Sequence, residues 1–483
     1  MNLAASVLHE RDPRGVALVC GEARIGREEL GARVAHAAGG FRAVGVQPGE
    51  RVLLVMRDSP ELAVAWLGAV YAGAVAVAVS SRLSMADYRH VLADSGARYA
   101  IVDESFAEAR AAFAAVASAL PDGAAVAPFE AAADSPAFCL YSSGTTGRPK
   151  AVLHAHRVGA ALGEAFRLLG LSVGDSVLTT SRFYFAYGLE HGLLAPLASG
   201  VSSVLMADWP DAEGVLRAIE QHRPRALFSV PTMYRRLLRE PAERLAALRE
   251  VRYFISAGER LSPLLVRQWH DATGGELLNL YGMSETFCAC MMTPPGTSDG
   301  MRTGRPFPIT ELRLAAADGA QPPRGEPGVL WVRHPALARG YANLPDETAA
   351  QFRDGWFCSR DLFVRDAQGF YVHQGRSDEL VKIAGQWVWP AELEEAAVCA
   401  RAVGEAACVP VTDGEGLHRL ALFVTASGSE DAALAAARAC EELPRHKRPK
   451  WVRVVAELPR TPTGKVQRYR LREMLERELR PSG

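Results

Sequence analysis

From residue 51 onward, short apolar runs alternate with longer mixed segments. "RVLLVM", Glu61 to Ala72, "VAVAVS", Met85 to Ser95 and "YAIVD" follow one another as strand, helix, strand, helix and strand. Strands alternating with helical stretches predict crossover units and a largely parallel sheet. A looser stretch rich in Ala, Pro and Asp, Pro121 to Pro136, leads to the apolar run Phe138 to Tyr141. The alternation resumes at "SVLTTS", "SVLMA", "ALFSVP", "YFISAG" and "LLNLYG", and "ITELRLA" and "GVLWVRH" follow as further strands. Near residue 375 the texture changes to shorter elements, "AACVPV", "LALFVTA", an Ala-rich helix and "KWVRVVAEL", which predict a small α+β unit. The expected organisation is an α/β domain over 1–377, with helix-flanked sheets and a β-rich subdomain, and a small α+β domain over 378–483. No repeat of fixed period and no heptad array interrupts this pattern.

Leu62 to Val79 is uncharged for long enough to raise the question of a membrane span. It contains Gly68 and Gly73 and turns at Gly73 into "AVAVAV", so a buried helix followed by a buried strand is expected instead. A chain of 483 residues suggests several compact units, at roughly 100–200 residues each. A formal net charge of −1 provides no general field for nucleic acid or an anionic membrane, so neither is an expected partner. The eight cysteines include no C-x-x-C pair, and Cys288 and Cys290 stand too close for metal-finger spacing. A reduced, cytoplasmic setting is the expectation. The start, "MNLAASVLHERDPRG", lacks a basic leader before a true apolar core, so no secretory signal is expected. The last part of the chain is locally basic, with Arg445, Lys447, Arg448, Lys450, Arg453, Arg460, Lys465, Arg468, Arg470 and Arg472. Taken alone, this is a solvated basic face or a site for anions.

"YSSGTTGRPK", Tyr141 to Lys150, sets two glycines, four aliphatic hydroxyls and a lysine directly after an apolar run. Glycines let backbone N–H groups close around an anion, hydroxyls add donors and a lysine adds mobile charge, so a phosphate chain suits the loop. A surface turn has the same composition. The spacing is not that of the P-loop, because only two threonines separate Gly144 from Gly147 and Lys150 lies behind Pro149.

This loop, "LYGMSET" (Leu280 to Thr286), "GWFCSRDLF" (Gly355 to Phe363), "GRSDELVKIAGQWVWP" (Gly375 to Pro390) and "PRTPTGKVQR" (Pro459 to Arg468) occur in this order. Together they resemble the adenylate-forming superfamily of acyl-CoA synthetases, peptide-synthetase adenylation domains and luciferases, over nearly the whole chain. Within it, "FYFAYGLEHG" (Phe183 to Gly192), "GQWVWPAELE" and "AVSSRLSMADYRHVL" are similar to benzoate-CoA ligases.

The resemblance implies activation of a carboxylate by in-line attack on the α-phosphate of ATP, in a site that positions two anions and screens their charge. Ser142, Ser143, Gly144, Thr145, Thr146, Gly147 and Lys150 would hold the β- and γ-phosphates. Thr146 and Thr286 would place hydroxyls near them. Glu285 would bind Mg²⁺, its alternative being a helix-capping glutamate. Tyr281 would stack on adenine, with Gly282 beside it and Ser256 to Glu259, including Gly258 and Glu259, as the wall. Asp361 would accept both ribose hydroxyls, with Arg376 as a second ribose or phosphate contact. The chain reads Ser359-Arg360-Asp361 where the family usually has Thr-Gly-Asp, so the carboxylate is kept in a different local turn. Lys465, in a Pro/Thr/Gly turn, is the expected catalytic lysine, bridging the carboxylate oxygen and the charge developing on phosphate.

The small domain of this family rotates between the two half-reactions, which places the hinge at Asp378. Gly385 would let a pantetheine arm approach the backbone. Trp387 would pack beside it or between the domains, and Arg445 and Lys447 would meet the CoA phosphates. The acid pocket would be walled by Phe185, Ala186, Tyr187 and Gly188, with Ala257, Gly282, Met283 and the run Phe287 to Met291. These residues are apolar or small, and the Phe183 to Tyr187 segment lacks the aspartate with which amino-acid-activating relatives pair a substrate ammonium. Glu190 and His191, just beyond, would meet a ring substituent or form a satisfied polar pair at a helix start. The implied activity is that of an ATP-dependent aryl-acid:CoA ligase using ATP, Mg²⁺ and CoA, as a monomer or homodimer. An enzyme loading an acyl carrier protein is the alternative, and a non-catalytic nucleotide-binding module is the alternative of another class.

Overall fold

The computed structural model describes residues 1–9, 15–143, 148–316, 318–377, 380–383, 385–459 and 466–479. The chain divides into two compact units. One comprises Met1–Arg313, Trp331–Ser359 and Arg365–Val372, the other Leu314–Leu330, Arg360–Val364 and His373–Gly483.

In the first unit the alternation expected from residue 51 is realised. Strand Arg51–Val55 lies parallel between Val75–Ala78 and Tyr99–Val102, and helices Pro60–Tyr71 and Met85–Ser95 make the connections. Val52 and Leu54 join one apolar cluster while Leu53 and Val55 join another, so this strand is covered on both faces and its text is continuously apolar. The uncharged segment from Leu62 is the buried helix and strand that its Ala/Gly content predicts. At Gly68 a Cβ would stand 2.9 Å from that of Ala37, so a glycine is what allows helix Pro60–Tyr71 to lie close against helix Arg27–Ala43. Strand Pro136–Ser143 adds in parallel beside Val75–Ala78 and turns back as Pro149–Ala155. No helix among the described residues is long and apolar enough to cross a membrane.

A second sheet in this unit lines up Leu277–Tyr281, Tyr253–Ser256, Ala226–Ser229, Ser176–Thr179, Ser202–Leu205 and Val16–Cys20, all parallel to their neighbours. Thr179 pairs with Phe228, Ser229 with Ser256, and Ser256 with Asn279, so the strands end together. The loops that follow residues 179, 229, 256 and 281 therefore leave from one edge. In open α/β sheets this carboxyl edge is where ligands bind.

The second unit contains an antiparallel pair, Val403–Thr412 and His418–Ala426, with Trp451–Val454 parallel to the latter. Cys408, Leu420, Leu422 and Val424 enter one core cluster, and Ala407, Val409, Ala421 and Phe423 enter another with Leu471 and Leu475. The period of two buries both faces of this small sheet between helices, giving the expected α+β character.

Candidate active site

Three of the loops that leave the common edge carry residues singled out from sequence. After strand Ser176–Thr179 the chain runs through Arg182 to Gly188, where a Cβ would meet the carbonyl oxygen of Arg182 at 2.2 Å. Only glycine lets this loop fold back so tightly and present Phe185, Ala186 and Tyr187, which are half-buried. The Tyr187 hydroxyl donates to the carbonyls of Ile255 (3.1 Å) and Ser229 (3.3 Å), and the Ala257 N–H also donates to Ser229. One side chain thus spans the ends of two neighbouring strands and brings the aromatic segment and Ala257 together. Gly282 follows strand Leu277–Tyr281, and a Cβ there would stand 3.0 Å from Cα of Ala289. Gly258 takes φ 82°, and Glu259, exposed beside it, accepts the Thr232 hydroxyl at 2.9 Å.

A buried carboxylate that the sequence did not flag fixes the start of the aromatic segment. Asp58 accepts the Phe183 N–H at 3.2 Å and lies 3.7 Å from Arg182. That guanidinium in turn donates to the carbonyls of Met206 and Asp208 and sits 5.3 Å over the Trp209 ring. Burial pushes the Asp58 carboxyl up to about 7, against the downward pull of Arg182.

The hairpin of Pro136–Ser143 and Pro149–Ala155 pairs Ser142 with Lys150 at the end nearest the connection between the two strands. Gly144, Thr145, Thr146 and Gly147 lie outside the described residues, as does the side chain of Ser143. The hairpin is bonded directly to the Gly282 to Thr286 loop. His154, held neutral because burial pushes it down to about 3, donates from Nε2 to the Ser284 carbonyl at 2.9 Å. The Ala338 N–H donates to the carbonyl of Glu285, and the Tyr341 hydroxyl donates to its carboxylate at 2.7 Å. Tyr341 comes from the short strand Gly340–Tyr341 beside Pro149–Ala155. Lys150 pairs with Glu347 and lies 6.0 Å from the Tyr341 ring. Hairpin, Glu285 loop and Tyr341 thus form one bonded group in which a half-buried carboxylate is held by a hydroxyl.

Thr286 departs from the expected arrangement. It is fully buried, and its hydroxyl donates to the carbonyls of Cys288 (3.0 Å) and Met283 (3.2 Å), holding the loop closed instead of pointing outward. Glu190 and His191 do not start a helix. They lie buried in the π-turn Glu190–Leu194, where Glu190 accepts the Ala289 N–H.

In the second unit, Arg376 stands 3.4 Å from the Asp361 carboxylate, and Nε2 of His373 stands 3.9 Å from it. Arg360, at the position usual for glycine in the family, adopts φ 62°, and its carbonyl accepts the N–H and hydroxyl of Ser377. Gly385 takes φ 84°, and among the described residues no atom lies within 4 Å of where a Cβ would stand. Lys447 is paired with Glu392, and Lys450 with Asp413. Arg445 is exposed. Asp378, Lys465 and the side chain of Trp387 lie outside the described residues. No cluster of three His, Cys, Asp or Glu able to hold a metal occurs among the described residues.

Two family models match the chain, AMP-binding enzyme over residues 6–342 and AMP-binding enzyme C-terminal domain over 392–465. A 3-hydroxybenzoate–CoA ligase of Aromatoleum sp. (strain CIB) is 38% identical over 510 residues, covering 99% of this chain and 97% of the relative. The solved structure of a benzoate CoA ligase from Burkholderia xenovorans LB400 superposes with a TM-score of 0.88 at 32% identity, over 98% of this chain and 100% of that one. An anthranilate CoA ligase in complex with anthranoyl-AMP gives a TM-score of 0.89 at 26% identity, over 99% and 98%.

Proposed function

We propose that this chain, which belongs to the AMP-binding enzyme family, activates a small aromatic carboxylic acid with ATP and transfers the acyl group to coenzyme A. In the first half-reaction a carboxylate oxygen attacks the α-phosphorus and pyrophosphate leaves. In the second the CoA sulfur attacks the acyl carbon, the thiol proton is released and AMP leaves with the bond to the acyl group. The observation that carries the reading is the composition of the Phe185 to Gly188 wall with Ala257 and Gly282. It is aromatic or small and contains no carboxylate for a substrate ammonium. It also stands on the same strand edge as the loop that is bonded to the phosphate hairpin.

In this reading the hairpin loop from Ser142 to Lys150 holds the phosphates and Tyr281 with Gly258 and Glu259 bounds the adenine. Asp361 and Arg376 take the ribose. Mg²⁺, when bound, screens the phosphate charge, and Glu285, oriented by Tyr341, is the carboxylate that suits it. Lys465 supplies the transition-state charge. Residues 378–483 form the lid, hinged at Asp378, with Gly385, Trp387, Arg445 and Lys447 on the thiol side. CoA is the acceptor, because Arg445 has a partner in its phosphates. A phosphopantetheinyl carrier protein ends in the same arm and is the alternative. We place the enzyme in the cytoplasm, as a monomer or homodimer.

Acid-dependent ATP–pyrophosphate exchange with benzoate, 4-hydroxybenzoate, hexanoate and alanine tests the acid half. Burying a ring in place of a short alkyl chain favours the aryl acids by about 1–2 kcal/mol, or about 5–30-fold in kcat/KM. A preference for hexanoate or alanine would contradict it.

A further inference from the structure

The walls assigned to the acid pocket come from two stretches far apart in sequence, and a buried carboxyl just beyond the first is hydrogen-bonded to the second. Glu190 directly follows the Ala186–Leu189 helix, in the π-turn Glu190–Leu194, with its side chain 5% exposed. Single π-turns inside helices are rare and re-aim the side chains around them. Here Oε2 of Glu190 accepts the Ala289 N–H at 3.1 Å and stands 3.4 Å from Nδ1 of His191. The same Nδ1 is 3.1 Å from the carbonyl of Tyr187, and the His191 ring stacks on Phe228 with centroids 4.7 Å apart. Ala289 backs Gly282 at the close approach described above, and the next residue, Cys290, donates its N–H to the Tyr281 carbonyl at 2.8 Å.

We propose that Glu190 is a positioning residue that ties the Phe185 to Gly188 wall of the acid pocket to the Gly282 to Met283 wall and so sets the width of the slot for the ring. The inference rests on the aryl-acid reading of that pocket. Burial pushes the Glu190 carboxyl up to about 8, so at neutral pH it is mostly protonated and brings no charge toward the substrate carboxylate. The groups around it keep their state through that range. Burial holds His191 neutral, down to about 3, raises Cys290 to about 12, and raises Cys288 and Tyr187 well above their usual values. Glu164, which acts on Cys288, is paired with Arg167. As pH rises through 8, Glu190 ionises behind the wall and repels a carboxylate substrate.

The test measures KM for acid and for ATP in pyrophosphate exchange for wild type, Glu190→Gln and Glu190→Ala, using whichever acid the wild type activates best. Glu190→Ala is expected to raise the acid KM about tenfold at pH 7 while the ATP KM stays within about twofold. Glu190→Gln keeps the acceptor oxygen and the volume, so it should stay within about threefold and lack the rise in acid KM that the wild type shows above about pH 8. An unchanged acid KM in Glu190→Ala, an ATP KM rising in parallel with it, or equal pH profiles for wild type and Glu190→Gln would overturn the proposal. If the wild type activates only alkyl acids, the aryl reading falls, while the tie is still judged on the acid KM for that substrate.

Discussion

In the proposed mechanism the Lys465 ammonium serves adenylate formation and is carried away for thiol transfer. Lys465→Ala is therefore expected to slow adenylate formation by about 10²–10³-fold, the scale of one lost transition-state charge contact. Thioester formation from supplied acyl-adenylate should be nearly unaffected, and stopped-flow measurement of each half-reaction separates the two. Arg360 offers a second test at this scale. A non-glycine residue at φ 62° is held in a conformation that costs about 1 kcal/mol. Arg360→Gly should leave stability unchanged or raise it by up to about 1 kcal/mol, read from denaturant midpoints. Single residues are also where the sequence was least legible. The motif located Thr286 but not the direction of its hydroxyl, which tertiary burial decides. Asp58 and Tyr341 gave no local signal, because their partners, Phe183 and Glu285, are remote in the chain.

At the level of elements, the strands around the site were legible because both their faces are covered and their text is apolar throughout. Helix Met85–Ser95 has the bounds that its pattern predicts, with Ser84 capping it and Gly96 ending it in the left-handed region. The two-residue strand Gly340–Tyr341 has no period to read, and the π-turn at Glu190 differs from an ordinary helix only in which carbonyl each N–H meets. That short strand is nevertheless what brings a hydroxyl to Glu285. Tyr341→Phe removes the hydrogen bond but keeps the ring, so it should cost about 1 kcal/mol of stability. It should also raise KM for Mg-ATP several-fold while leaving KM for the acid alone, in a two-substrate kinetic series. A change confined to the acid KM would separate Tyr341 from the nucleotide site.

For the whole molecule, the proposed function has one lid serve two half-reactions. The change of texture near residue 375 suggests shorter elements, whereas strands Val403–Thr412 and His418–Ala426 of the second unit have 10 and 9 residues and Val75–Ala78 of the first has 4. The second unit's inclusion of Leu314–Leu330 and Arg360–Val364 depends on three-dimensional contact that no run of residues displays. Proline at 378 fixes φ and removes a donor, so Asp378→Pro should hold one orientation of the lid. Pyrophosphate exchange should persist with little thioester formed, and both rates near wild type would remove Asp378 from the hinge. The central claim is that one chain joins an aryl acid to a thiol at the expense of ATP cleaved to AMP. Its most direct test is mass spectrometry of a reaction containing benzoate or 4-hydroxybenzoate, ATP, Mg²⁺ and CoA, with nucleotides and thioester quantified together. Aryl-CoA, AMP and pyrophosphate are expected in equal amounts. ADP with phosphate, or aryl-adenylate accumulating in the presence of CoA with no thioester, would contradict it.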